Sequence, residues 1–416
     1  MKSAILPALF AALSLAARAA IVVPGADGSD GVLNITANTE IDLSQAVTGT
    51  WNQNNAANAG KGVYDPAKWA VVFKYSSVNV AAGATVTFKN HASRAPVVWL
   101  VNGNVTIAGT VSLDGETAGY NAPRLAEPGP GGFRGGAGAV SNVTNGAGFG
   151  IGGGSYRVPS QGSYGGGGGF GTPGVGGSSV YGNPSLMPLI GGSGGGGYNG
   201  DGRGGGGGGG AILIASSNAV VIGGAIRANG GSSGGGTGNG SGGAIRIVAD
   251  SLEGGGGVSC IGGPSMPGVL VGGAGRVRLE RVTNMNTVTV TPDPSVVPLS
   301  AGSTALIFPP SGAPEVRILS IGNVNAPTDP RATFGSEGAD VALPETSSPQ
   351  VIIETKNIEQ ASIVKVRGTP RANADATVVT ATLQSVVSTD PLVIRWTATL
   401  PVNAGYSAVQ AHVIRP

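Results

Sequence analysis

Side chains that could do chemistry are scarce in this 416-residue chain, which holds 22 Asp and Glu, 2 His and 1 Cys. Asp114 and Glu116 lie close together beside a turn, and Asp250 and Glu253 flank another. Glycoside hydrolysis needs two opposed carboxylates at a set separation, and lyase chemistry needs acidic residues around calcium with a base beside an acidified carbon. Each pair here reads more simply as a solvated turn. Asp27-Gly28-Ser29-Asp30-Gly31 offers alternating oxygens, as a calcium loop does, but lacks the later Glu ligand of an EF-hand. It reads as an Asx turn. His91 and His412 are far apart in sequence, and neither has a Ser or Cys nearby in a nucleophile motif. The single Cys and two His exclude a disulfide framework and a Cys/His zinc site. No metal or cofactor is expected, and no catalytic residue is assigned.

Glycine sets the chain apart: there are 77 glycines against 11% charged residues, both far from an average globular composition. Residues 165–169 and 204–210 are unbroken glycine. A phosphate cradle would need Lys and Ser/Thr after the glycines and a helix beyond, whereas residues 204–210 run into the strand-like Ala211-Ile212-Leu213. Such segments can pack closely because they lack Cβ atoms. Stacked polyglycine II is the form expected, with backbone groups satisfied between neighbouring segments.

Among the glycines lie Tyr120, Phe133, Phe149, Tyr156, Tyr164, Phe170, Tyr181 and Tyr198. Rings on close-packed loops can stack on sugars or anchor a protein partner; they can also pin the glycine chains to the body of the protein. Tyr156, Tyr164, Phe170, Tyr181 and Tyr198 are the candidate ligand-binding residues. Arg227, Arg246 and Arg278 should point outward by strand alternation, as a solvated face or as a weak basic stripe for acidic polysaccharide.

Repeats reveal the elements that must position these groups. Gly210-Ala211-Ile212-Leu213-Ile214 recurs 33 positions later as Gly243-Ala244-Ile245-Arg246-Ile247, and Arg276-Val277-Arg278-Leu279 follows with Val277 lying 32 positions after Ile245. The period-two alternation marks strands with a buried face. A second strand, Gly224-Ala225-Ile226-Arg227-Ala228, has its successor in Gly257-Val258-Ser259-Cys260, and residues 97–115 align without gaps to 212–230 at an offset of 115. Stacked turns predict one ladder of Val97, Ile212, Ile245 and Val277, and another of Trp99, Ile214, Ile247 and Leu279. Cys260 falls in the inward slot of Ala228 and Leu113, as a small hydrophobe. The fold class expected is all-β: a parallel β-helix (solenoid), because each turn buries its apolar face only against the next.

Residues 1–19 read as a bacterial export signal, with Lys2, an apolar stretch over 4–17 and the small-x-small run Ala17-Arg18-Ala19. That stretch is too short to span a membrane. Residues 20–290 are assigned to the solenoid, with residues 117–210 as a glycine-rich insertion leaving it after Leu113 and returning near Ala211. Residues 291–314 form a Pro-containing linker. Residues 315–416 carry strands predicted at 316–321, 351–355, 362–366, 377–383, 393–400 and 407–414, which suits an immunoglobulin- or fibronectin-like β-sandwich, although no Cys pair or buried-Trp signature accompanies them.

The runs Gly242-Gly243-Ala244-Ile245-Arg246-Ile247-Val248-Ala249 and Val97-Val98-Trp99-Leu100-Val101-Asn102-Gly103-Asn104-Val105-Thr106-Ile107 resemble the turns of exported glycine-rich bacterial β-helix proteins, over roughly residues 70–290. Most such proteins have no assigned activity; the wider right-handed β-helix group includes pectate lyases and other polysaccharide-active enzymes, as well as adhesins. The function expected is that of an exported, non-enzymatic structural or adhesive protein, secreted or held at the cell surface, that meets extracellular polysaccharide or matrix through the insertion. The alternative is a polysaccharide-active lyase or hydrolase. A net charge of +2 without a basic cluster gives no reason to expect nucleic acid.

Overall fold

The computed structural model describes residues 19–119, 125–139, 144–158, 164–176, 178–198, 202–264, 270–331, 338–344 and 348–416. Among them the regular structure is β, in sheets of ten, six, five and three strands, apart from two short 3-10 turns at Leu43–Gln45 and Ala56–Asn58. No helix among the described residues is long and apolar enough to cross a membrane.

The ten-stranded sheet is largely parallel. Ala70–Val80, Val97–Val101, Ala211–Ile222, Ala244–Gly254 and Arg276–Asn286 lie side by side, and Val97 pairs with Ile212, Ile212 with Ile245, and Ile245 with Val277. Trp99, Ile214, Ile247 and Leu279 form the neighbouring ladder in the same registers. The offsets read from sequence are therefore the pairing registers. A slip of one residue would turn each of these side chains out of the core, so the apolar alternation fixes the alignment. Thr110–Ser112, Ala225–Arg227, Gly257–Ser259 and Thr289–Thr291 repeat the device in the six-stranded sheet, stacking Val111, Ile226, Val258 and Val290. The inward faces of both sheets share one core, with Cys260 buried beside Leu113 and Ala228 in the same cluster.

The outer face of the ten-stranded sheet is also covered. Val72, Val98, Leu100, Leu213, Ala215 and Val248 pack beneath Ile21 and Val23 from the N-terminal side and Ala305 and Ile307 from further along the chain. Val97–Val101 is accordingly buried at every position, which explains its unbroken apolar sequence.

Between Ser112 and Ala211 the described residues contain no strand, yet most of the described glycines are buried, and they are regularly bonded. Along residues 205–210 the donors repeat every third residue. Gly205 and Gly208 donate to the carbonyls of Gly136 and Phe133, Gly206 and Gly209 to those of Gly238 and Ser241, and Gly207 and Gly210 to those of Glu116 and Leu113. A chain with three residues per turn directs successive amides to three different neighbours in this way, which is the period of a polyproline-II-type helix. Residues 192–197 continue the lattice: Gly192 and Gly195 donate to Gly209 and Gly206, Gly194 and Gly197 to Phe149 and Gly146. Glycine is required here by close approach. A Cβ added at Gly208 would sit 2.0 Å from the Gly192 oxygen, and one at Gly238 1.8 Å from that of Gly166. Gly238 and Ser241 belong to the connection between two repeated strands, so the glycines at the corners and those of the long excursion build one slab.

The remaining sheets are antiparallel. Glu315–Ile321, Gln350–Lys356, Leu392–Thr399 and Thr382–Thr389 lie in the five-stranded sheet, and Ile363–Pro370, Thr377–Thr380 and Ser407–Ile414 form the three-stranded one. They enclose a core of Val351, Ile353, Val364, Val366, Ile394, Trp396 and Leu400. The single strand predicted at 377–383 is two: the chain leaves one sheet at Thr380, and Thr382 begins pairing in the other. Trp396 is buried in this core, and its Nε1 donates to Thr355 Oγ1 at 2.8 Å.

Candidate functional site

The glycine slab sorts the candidate aromatic residues by exposure. Phe170 is fully buried against Tyr181, with ring centroids 4.8 Å apart, in a cluster with Leu186, Ala211 and Ala244. The Tyr181 hydroxyl donates to the Gly191 carbonyl at 2.6 Å and accepts from Ser193 Oγ at 3.0 Å, while burial raises its pKa. The Arg276 guanidinium lies 5.7 Å from the centre of the Phe170 ring. Phe170 and Tyr181 therefore fasten the slab to the repeated strands and offer no face to a ligand. Phe149 is likewise buried. Tyr156, Tyr164 and Tyr198 are half-buried. Tyr164 and Tyr198 meet edge-on at 5.6 Å, and the Asn145 side chain donates to the carbonyls of Tyr156 and Gly197, which holds the Tyr156 turn beside Tyr198. These three tyrosines thus gather at one end of the slab. Tyr120 lies outside the described residues.

The carboxylates brace loops. Asp114 accepts the Asn229 amide at 2.8 Å and pairs with Arg227 at 3.2 Å, Glu116 accepts the Glu127 amide at 2.9 Å, and Glu253 accepts Ser251 Oγ at 2.6 Å. Around the Asp27–Asp30 turn, Asp30 Oδ1 accepts from Asn55 Nδ2 at 2.7 Å and from the Gly60 amide at 2.9 Å, and its Oδ2 accepts the Lys74 amide at 2.7 Å. Asp27 Oδ1 accepts the Ser29 amide, closing an Asx turn. Among the described residues no group of three or more His, Cys, Asp or Glu could hold a metal.

The expectation of three outward arginines needs correction at Arg246. Its side chain does leave the inner core, but the chain crossing the outer face buries it to 1% exposure. Arg246 Nε donates to Glu280 at 2.7 Å and its terminal nitrogens to the carbonyls of Leu306 and Ile307. Arg278 binds the same carboxylate at 2.6 Å. Burial would raise the Glu280 pKa, but the hydrogen bonds and charges of Arg246 and then Arg278 prevail and hold it below the usual glutamate value. Of the three, only Arg227 keeps an exposed side chain, and it pairs with Asp114.

His91 does have a serine neighbour. The Ser93 hydroxyl lies 2.8 Å from Nδ1, which also accepts the Ser93 amide at 3.2 Å. The contact has the form of a nucleophile and its base, but it closes a two-residue turn, with both residues buried and the imidazole 4.1 Å from the Tyr64 ring. Tyr64 in turn donates to Asp329 at 2.5 Å, joining the strand Val63–Asp65 to a segment far along the chain. Burial, reinforced by the charge of Arg331, lowers the His91 pKa against the opposing effect of Asp329 and favours neutral imidazole. Burial and the cations Lys365 and Arg367 lower that of His412.

Beside this clasp lies a feature that no spacing announced. A cavity of about 1040 Å3 opens between the slab and the Glu315–Ile321 strand. Trp69, Phe133, Phe149 and Tyr406 supply its rings, and Arg94, Arg134, Arg317 and Arg331 its cations. Two of the linings are held in left-handed backbone, Trp69 at φ 46° and Arg94 at φ 53°, a conformation that costs bulky residues energy. Trp69 Nε1 donates to the Ser93 carbonyl at 3.0 Å. Glu127 is shared by Arg94 at 3.0 Å and Arg134 at 2.7 Å. The residues come from segments up to hundreds of positions apart, so no local motif could have signalled them. No family model matches the chain, and neither a curated protein nor a solved structure matches it.

Proposed function

We propose that the protein is an exported, non-enzymatic structural or adhesive component that works outside the cell or at its surface, in contact with extracellular polysaccharide or matrix. In this reading residues 20–290 form a parallel β-solenoid of the exported glycine-rich bacterial type, residues 117–210 a polyglycine II slab inserted in it, residues 291–314 a linker, and residues 315–416 an immunoglobulin- or fibronectin-like β-sandwich. The export signal over residues 1–19 supplies the route.

The observation that carries this reading is the slab. Its glycines bond laterally to neighbours that alternate with a period of three, and they bring backbones too close for any Cβ. Such a lattice contributes no side-chain chemistry, whereas stiffness and a flat, closely packed body suit a scaffold. The described carboxylates point the same way, because Asp114, Glu116 and Glu253 brace turns and Glu280 is locked between two arginines.

Retention of the full chain on producer-cell surfaces, insoluble polysaccharides and extracellular matrix tests the proposal. Specific retention without depolymerisation supports it. Release of shortened saccharides, or no retention on any of these supports, counts against it.

A further inference from the structure

We propose that the cavity between the glycine slab and the Glu315–Ile321 strand binds an acidic saccharide, a short stretch of glycan bearing carboxylate or sulfate. This rests on the adhesive reading and names the site and ligand class that reading lacks.

The cavity, at about 1040 Å3, is large enough for several sugar rings. Trp69, Phe133 and Tyr406 reach it from three separate segments, and aromatic faces stack on the C–H faces of pyranose rings. Among the described residues its charged lining is four arginines against Asp340. Asp340 accepts the Arg331 amide at 3.0 and 3.1 Å, Glu127 is divided between Arg94 and Arg134, and Glu354 between Arg317 at 2.5 Å and Arg395 at 3.8 Å. Planar guanidinium forks match carboxylate and sulfate oxygens.

A further observation points to an occupant. Trp69 and Arg94 hold costly left-handed backbone at the same wall, and strain of that kind gathers where ligands are gripped.

Titration of the full chain with polygalacturonate, dextran sulfate and neutral dextran tests the inference. Binding to one or both anionic polymers, weakened by salt, with none to neutral dextran, is expected; the tighter of the two identifies carboxylate or sulfate as the source. Arg317→Glu with Arg331→Glu should lower affinity by about tenfold or more. Both positions are exposed, so folding survives, as circular dichroism will verify. Tyr406→Ala, which alters no charge, should weaken binding several-fold, and the triple Tyr156, Tyr164 and Tyr198→Ala variant should bind as wild type. The inference falls if neither anionic polymer binds, if the arginine reversals change nothing, or if a single-stranded oligonucleotide binds equally well. Loss of binding in the triple variant alone, with Tyr406→Ala and the arginine reversals binding as wild type, would overturn the cleft but keep the adhesive reading, as would retention on matrix by a chain that ignores both anionic polymers.

Discussion

Gly208→Ala is the sharpest probe of the slab. The added Cβ would lie 2.0 Å from the Gly192 oxygen and 2.4 Å from its carbonyl carbon, both backbone atoms with no rotamer to yield. Restoring ordinary contact requires the two segments to part by roughly 1 Å or more. Gly208 donates to Phe133 at 2.9 Å and Gly192 to Gly209 at 2.8 Å, so the separation strains two buried backbone bonds. Overpacking costs about 1–3 kcal/mol, and a stranded buried backbone group costs a similar amount. Together they predict a loss of roughly 2–6 kcal/mol, a large part of a total stability of about 5–15 kcal/mol. Gly257→Ala is the control: it lies in a strand with nothing within 4 Å of the added atom, and should be neutral or stabilising by less than about 1 kcal/mol. Guanidinium unfolding followed by tryptophan fluorescence and circular dichroism reads both. If Gly208→Ala unfolds at the same denaturant concentration as Gly257→Ala, the close-packed lattice is wrong.

Glu280, with its folded pKa depressed, stabilises the protein fully above its unfolded value and loses that contribution as pH falls through the folded one. Thermal melts should therefore decline in acid below about pH 4.5, and Glu280→Gln should flatten that decline. Arg246→Ala should cost about 3 kcal/mol in denaturant unfolding, because it strips a buried carboxylate of one partner. Burial pushes the Cys260 thiol well up, so a thiol reagent at neutral pH should label it only after denaturation. Calcium should leave the thermal midpoint unchanged, because both Asp30 oxygens already accept hydrogen bonds from Asn55, Gly60 and Lys74.

The ladders were legible because parallel stacking repeats one apolar alternation at fixed offsets, and Val97, Ile212, Ile245 and Val277 carry it in plain view. The place of Cys260 followed from the same arithmetic. Arg246 misled because alternation tells which side chains leave the inner core but says nothing about what covers the outer face. The excursion rings divided for a similar reason: Phe170 and Tyr198 both follow a run of glycines, and only the slab decides which is buried. The bonding of Gly238 and Ser241 to the long tract left no trace in the sequence, because lateral contacts between distant segments have no period. The cavity was invisible because Trp69, Arg134 and Arg331 converge only when the sheets and slab meet.

The claim at the centre of this account is that the glycine tract is an ordered, laterally bonded body. Amide hydrogen exchange over residues 191–197 and 204–210, read by mass spectrometry on the intact chain, tests it most directly. Protection comparable to that of the Ala211–Ile222 strand is predicted, since Gly192, Gly195, Gly206 and Gly209 are all bonded and buried. Exchange at the rate of an unstructured peptide would contradict it.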